Sequence, residues 1–396
     1  MMEVIYPYES RFKTALKKVK ESNISKRNKE LILAFNDECF ANGLSKPRVT
    51  KYIYHLIKLA TWLGKDFPNA TQEDIKKVVA EIERAQLADS SKSELRMCLK
   101  KFYKWMKGSD EYPPEVRWIK VKRKRNSKVK IPEELLTPDE IKGMIESTTN
   151  VRDRALVAVL YESGCRIGEI LSLKIRNVTF DQHGGILSVP HFCKTGTRRV
   201  RIVLSVPYLT EWLNKHPDKD NPEAYLWPGR KSILSHTRAR HILVTLAKRA
   251  GIKKRIFPHL FRHSRATYLA NFLTEAQMKE YFGWVQDSDM ASVYVHLSGR
   301  DVDRAILKLH GIEREDTQED QPLSPRPCPR CGKTNPHTNS FCSRCGMPLD
   351  EREAVRIIEK EMQRKKADSV LDHLLQDPEF KQMFIRKLEE FGISRV

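Results

Sequence analysis

Three observations in the amino-acid sequence predict a mainly α-helical, multidomain chain with one small antiparallel β-sheet. Apolar residues recur at helical spacing through residues 1–110 and again from about 236 to 312. Between these regions, residues 185–204 alternate apolar and polar about a short, glycine-containing turn. Near the C-terminus, two Cys-x2-Cys pairs mark a metal-type module. The 396 residues suffice for two or three cores, and a composition 40% hydrophobic and 8% aromatic fits folded domains.

Charge narrows the choice of partner. Lys and Arg outnumber Asp and Glu 72 to 51, a formal charge of +21. That surplus favours a polyanion such as double-stranded DNA, because each neutralised phosphate releases counterions. No apolar run approaches the roughly 18–20 residues of a membrane helix. Residues 1–18 lack a hydrophobic segment ahead of a small-residue cleavage site. A cytoplasmic protein without a membrane partner is expected. Cys39, Cys98, Cys165 and Cys193 are scattered, which is not the pattern of a disulfide framework.

Residues 1–110 read as a helical bundle. Ser45, Pro47, a stripe through Tyr52, Leu56, Leu59 and Leu63, and a stop at Gly64 describe one helix. Thr71 and Asp74 cap the next, with Ile75, Val78, Val79 and Ile82 on one face. Ser90 or Ser91 opens a third, carrying Leu95, Leu99, Phe102, Tyr103 and Met106. Lys and Arg are interleaved on the polar faces, as either a solvated surface or a DNA contact. Pro113-Pro114 ends the bundle. Residues 111–133 form a basic linker, with Arg117, Lys120, Lys122, Arg123, Lys124, Arg125, Lys128 and Lys130 free of intervening acid. It suits a strap along a phosphate backbone, or serves as a tether or import-like signal.

A second domain spans 134–312. Thr137 and Glu140 form a capping box around Pro138, and the helix Arg154–Leu160 runs to a turn at Gly164. Strands through Ile186, Leu187 and Val189 and through Val200, Ile202 and Leu204 flank the hairpin tip Lys194-Thr195-Gly196-Thr197.

Six residues of this domain suit phosphoryl transfer: Arg166, Lys194, His259, Arg262, Trp284 and Tyr294. A scissile phosphodiester gains negative charge on its non-bridging oxygens, and arginine is a permanently charged, forked donor for it. Arg166 follows the Gly164 turn, where Glu169 lies one turn on and can steady it. His259 and Arg262 are three residues apart and share a helix face. His263 beside them reads as packing. Lys194 at a hairpin tip can protonate a departing alkoxide, with Arg198 and Arg199 as rivals. Tyr294 offers a phenol with an ordinary pKa of about 10, so it needs a neighbour to take its proton. Tyr161, Tyr268 and Tyr281 sit at apolar helical spacing and read as core.

The segment Ala155-Leu-Val-Ala-Val-Leu-Tyr-Glu-Ser-Gly-Cys-Arg-Ile-Gly-Glu-Ile-Leu-Ser-Leu resembles the first box of the tyrosine recombinase (phage integrase) family. His259-Leu-Phe-Arg-His-Ser is similar to its second box, and Gly283-Trp284 with Ser292-Val-Tyr-Val-His296 to that box's end. The resemblance covers about 134–312 and, more weakly, likens residues 1–110 to the family's SAM-like core-binding domain. It implies a site-specific recombinase or integrase that joins DNA through a 3′-phosphotyrosine, with no ATP and no catalytic metal. It also implies that His259 accepts the tyrosine proton or binds the phosphate, and that the enzyme acts as a homotetramer on DNA. Trp284 departs from the commoner histidine at its position. Its indole donates a hydrogen bond but cannot act as acid or base. A catalytically silent DNA-binding regulator and a type IB-like topoisomerase are the alternatives.

Cys328, Cys331, Cys342 and Cys345 follow the pattern C-x2-C-x10-C-x2-C within a predicted ribbon at 325–348. Gly332 and Gly346 permit the tight knuckles, and four thiolates suit a structural Zn²⁺. His337 is not expected to be a ligand. Residues 350–396 read as two amphipathic helices, with Val355, Ile358, Met362, Val370, Leu371, Leu374 and Leu375 in the first and Phe380, Met383, Phe384, Leu388 and Phe391 in the second. A self-packed hairpin is expected. Accessory proteins are possible partners through this tail.

Overall fold

The computed structural model describes residues 5–121, 132–190, 197–229, 233–297, 310 and 324–391. It divides into two compact units, one of Met1–Ile131 with Pro228–Ala239 and one of Pro132–Trp227 with Arg240–Val396. It is helical apart from a three-stranded and a two-stranded sheet among the described residues.

The first unit is built on helices α1 (Tyr8–Glu21), α2 (Lys26–Ala41), α3 (Lys46–Leu63), α4 (Gln72–Arg84), α5 (Asp89–Met106) and the short α6 (Pro114–Arg117). The capping box of Thr71 and Asp74 forms as expected. Gly64 closes α3 with a left-handed φ of 68°. Ser45 is the N-cap of α3 but makes no side-chain cap bond. α5 begins at Asp89 after Ala88, one residue ahead of the expected Ser90 or Ser91. Phe35, Phe67, Phe102 and Tyr103 fill the core, and the apolar cluster runs on through Val116 to Ile119. The Tyr103 hydroxyl donates to the Phe67 carbonyl, so this buried polar group is satisfied. Of the basic linker, residues 122–131 lie outside the described residues.

The second unit is organised by α8. The elements are α7 (Pro138–Glu146), α8 (Val151–Ser163), α9 (Ile167–Leu171), β1 (Val178–Asp181), β2 (Gly184–Val189), β3 (Arg198–Ile202), α10 (Val206–Asn214), α11 (His236–Arg249, entering from the first unit), α12 (Pro258–Leu269), α13 (Glu275–Phe282) and α14 (Met290–Leu297). Residues Ala155 through Ser163 of α8 are all buried. A helix apolar on every side belongs at the centre of a fold. Its one buried carboxylate, Glu162, accepts from the backbone N–H groups of Val203, Leu204 and Ser205 and from the Ser205 hydroxyl. These bonds turn the chain out of β3 into α10, which is why Leu204 is not a strand residue as expected.

The strands run antiparallel in the order β1-β2-β3, with Leu187 opposite Val200. Leu187, Val189, Val200 and Ile202 are buried, so one face of the sheet packs inward. The hairpin tip, residues 191–196, lies outside the described residues, and Lys194 with it.

Beyond these come strands β4 (Arg326–Pro327) and β5 (Thr334–Asn335), then α15 (Glu351–Leu374) and α16 (Pro378–Glu390). The expected self-packed hairpin is not formed, for neither helix has a buried residue. Val355, Ile358, Met362, Val370, Leu374 and Met383 are all exposed. The reason lies in helical phase. At about 100° per residue, Val355, Ile358 and Met362 face one way, and Val370 and Leu374 lie roughly a quarter-turn round from them. α15 therefore offers no continuous stripe for one partner helix to cover.

Candidate active site

Arg166 is placed by a turn that only glycine permits. Gly164 ends α8 with φ 55°, and a Cβ there would meet the Phe282 ring at 2.4 Å. Two residues later, the Arg166 N–H donates to Glu169 Oε2 at 2.8 Å and its guanidinium to Oε1 at 2.9 Å. Glu169 thus steadies the arginine as expected.

The same carboxylate is shared with Arg198. Arg198 Nη2 donates to Glu169 Oε2 at 2.7 Å, and its Nε donates to the Tyr281 carbonyl at 3.1 Å. Burial works to raise the Glu169 carboxyl. The hydrogen bonds and charges of Arg198 and Arg166 outweigh it and hold the group below the usual carboxylate range. Considered only as a rival to Lys194, Arg198 is instead a buried brace, its side chain 7% exposed.

Arg262 is 2% exposed. Its Nη1 donates to the Gly164 carbonyl at 3.0 Å and its Nη2 to the Phe282 carbonyl at 2.7 Å. The guanidinium also lies against the Phe282 and Trp284 rings, 5.0 and 5.3 Å from their centroids. Burial and the like charge of Arg166 push it down to about 10, so it remains a cation at neutral pH. Two guanidinium groups from separate stretches of chain are thereby concentrated in one place.

α12 starts at Pro258 and carries His259 and Arg262. His259 is exposed to solvent on one side. Desolvation on the other, with the charges of Arg262 and Arg166, pushes its imidazole down to about 4 and keeps it neutral.

Tyr294 is 3% exposed on α14. Its ring lies parallel to Trp284, centroids 5.4 Å apart and planes at 1°, and Trp284 in turn stacks on Phe282. Trp284 thus buttresses the tyrosine. Burial pushes the phenol up to about 12, against the opposing charge of Arg262.

The Tyr294 hydroxyl lies 2.5 Å from His263 Nδ1. This corrects the reading of His263 as packing. At about 100° per residue, a residue four after His259 is displaced only about 40° from it, nearer than Arg262. That spacing was the available signal. The rings of His259 and His263 meet edge to face at 4.7 Å.

Arg166, His259, Arg262, Trp284 and Tyr294 are therefore brought to one pocket. Lys194 lies outside the described residues. Among the rival tyrosines, Tyr161 is buried and the Tyr281 hydroxyl donates to the Glu162 carbonyl, both as core groups. Tyr268 packs against Phe272, the rings tilted with centroids 5.2 Å apart.

Cys328, Cys331, Cys342 and Cys345 form a separate site, with all four sulfurs within 4.8 Å of one another. Sγ–Sγ separations of 3.5 Å (Cys328–Cys345) and 3.6 Å (Cys331–Cys342) approach the roughly 3.8 Å edge of a tetrahedron with metal–sulfur bonds of about 2.3 Å. Gly332 and Gly346 take φ of 68° and 70° at the knuckles. His337 is not in this set and lies beside Arg326. The cluster can hold a metal ion.

Comparison with known proteins gives a consistent picture. Residues 134–300 match the model of the phage integrase family. The tyrosine recombinase XerA of Pyrococcus furiosus is 31% identical over 280 residues, covering 68% of this chain and 91% of that protein. A tyrosine recombinase of Thermosipho africanus is 25% identical over 277 residues, covering 67% and 94%. Among solved structures, the XerH recombinase bound to a palindromic difH substrate aligns with a TM-score of 0.55 at 18% identity, over 78% of this chain and 97% of that one. A lambda integrase dimer bound to a COC′ core site aligns with a TM-score of 0.55 at 17% identity, over 69% and 78%. These last two likenesses bear on the fold. Among the described residues, no helix is long and apolar enough to cross a membrane.

Proposed function

The chain belongs to the phage integrase family of tyrosine recombinases, and from that premise we propose that it breaks and rejoins DNA strands at specific sites through Tyr294. The observation that carries this reading is the delivery of Tyr294 by α14 onto the pocket of Arg262, Arg166 and His259. The phenolic oxygen attacks the scissile phosphorus. Charge gathering on the non-bridging oxygens is met by Arg166 and Arg262, which the fold holds in place before substrate arrives. His259, neutral and open on one side, faces the phosphate. Lys194 on the β2–β3 hairpin protonates the leaving 5′ oxygen. The product is a 3′-phosphotyrosine and a free 5′ hydroxyl. The linkage retains the energy needed to rejoin the strand.

Partner and assembly follow from this reading. Double-stranded DNA is the substrate, in keeping with the +21 charge. A homotetramer brings two sites together, and the protein works in the cytoplasm. Zn²⁺ held by Cys328, Cys331, Cys342 and Cys345 would stabilise the ribbon, where few apolar residues could do so unaided. Accessory proteins would engage the exposed tail.

The test is covalent capture. Nicked, sheared host DNA is incubated with the protein, and adducts that survive detergent are collected and sequenced. The wild type should retain DNA at a recurring site, and Tyr294→Phe should retain none while still binding duplex. No adduct from the wild type on any DNA would leave a silent DNA-binding regulator. Adducts without sequence preference, together with supercoil relaxation, would mean a topoisomerase.

A further inference from the structure

The phenol that performs this chemistry rests against a histidine other than the one the motifs single out. Tyr294 is confined on two sides. Trp284 lies flat on its ring, and His263 Nδ1 sits 2.5 Å from its hydroxyl. Groups around this contact include His259 and Arg262 on the same helix as His263, and Trp284 against the Tyr294 ring.

We propose that His263 is a catalytic residue that takes the proton of Tyr294 during strand cleavage, leaving His259 to bind the phosphate. The inference rests on the reading of Tyr294 as nucleophile. Three observations support the division of labour. First, His263 is in hydrogen-bond contact with the reacting oxygen, the geometric requirement for a general base. Second, burial raises Tyr294 to about 12, so free phenolate is scarce and the proton must pass to a group in contact. Third, desolvation and the charges of Arg262 and Arg166 lower His259 to about 4, which makes it a weak base. A neutral imidazole beside two guanidiniums is better suited to donating a hydrogen bond to the phosphate they bind.

The step balances. His263 begins neutral with its proton on Nε2, so that Nδ1 can accept. The Tyr294 O–H bond breaks and its proton moves to Nδ1 as the O–P bond forms. The bond from phosphorus to the 5′ oxygen breaks, and that oxygen is protonated by Lys194. In rejoining, the 5′ hydroxyl attacks the phosphotyrosine. The departing phenolic oxygen then recovers the proton from His263, so no net proton is consumed over the cycle.

The experiment uses the full-length protein and a nicked suicide duplex carrying the captured site. His263→Asn places an amide oxygen near the position of Nδ1, so it can hold the hydroxyl but cannot take its proton. His263→Phe does neither. Both should slow single-turnover adduct formation by about 100-fold or more, a typical share for a general base, with duplex binding within a few-fold of wild type. The loss should persist on a duplex with sulfur at the bridging 5′ position, whose thiolate leaves without a proton. That same duplex should restore a Lys194→Ala variant. A His263→Asn variant as fast as wild type would reduce His263 to placement alone and overturn the proposal. Recovery of the His263 variants on the sulfur duplex would overturn it too, because the residue would then serve the leaving group. Should His263→Phe fail to fold, His263→Asn decides. An absence of wild-type adduct would defeat the nucleophile reading itself.

Discussion

Glu169 carries more of the pocket than its place one turn after Arg166 suggests. Buried with two guanidiniums on its carboxylate, it fixes Arg166 and ties β3 to α9 through Arg198. Its pairing with Arg166 was legible because residues three apart on a helix are neighbours. Its pairing with Arg198 was not, because that contact joins residues 29 apart and no local spacing reports it. His263 was legible in principle through its spacing from His259, which sets it about 40° round the helix from that residue. A different histidine, His55 on α3, leads to a test of pH dependence. Its Nδ1 is buried without a partner. Desolvation, then the charges of Lys51 and Lys58, push it down to about 4 against an opposing Glu94. The unfolded chain, with an ordinary histidine near pKa 6.5, binds the proton more readily. Stability is therefore full above about pH 6.5 and is lost as pH falls towards 4. His259 acts in the same direction. Urea unfolding midpoints should fall between pH 7 and pH 5, and His55→Met should reduce that slope. An unchanged slope would show that the orphaned ring is not responsible.

The turn from α8 to α9 shows how one element holds a pocket together. Gly164 needs its positive φ, leaves room for Phe282 and offers its carbonyl to Arg262. Gly164→Ala should therefore destabilise the second unit by about 1–3 kcal/mol from overpacking alone. It should also slow adduct formation by shifting Arg262. Calorimetry beside the capture assay checks both, and a variant with wild-type stability would contradict the crowding argument. This turn was readable because glycine after a buried helix has few other uses. β1 went unread because it is four residues long with a mostly exposed pattern, and its pairing with β2 defines it. The start of α5 was displaced because several neighbouring residues could open a helix, and packing chose among them. The tail misled for another reason: its apolar content is high, but its helical phase is broken.

Across the whole molecule, the order of motifs was the strongest signal, since each taken alone is common. The four-cysteine cluster was equally plain, because paired cysteines at short spacing have few alternatives where the other cysteines are scattered. Its energetic role is open to a direct test. With zinc bound as proposed, chelation, or Cys331→Ser, should release it and expose residues 324–349 to protease while the catalytic unit stays protected. Metal analysis with limited proteolysis reads both outcomes. An unchanged cleavage pattern after zinc loss would show that the ribbon holds without metal. Finally, Arg262 fastens its guanidinium to the main chain at Gly164 and at Phe282, segments that lie far apart in sequence. It is a keystone as well as an electrode. A descendant that had lost all chemistry would still need this arginine to keep its shape, so finding one in a related chain says little about whether that chain works. The single oxygen on Tyr294 is the more telling mark, because phenylalanine could fill the same space and would give up only the contact with His263 and the proposed chemistry.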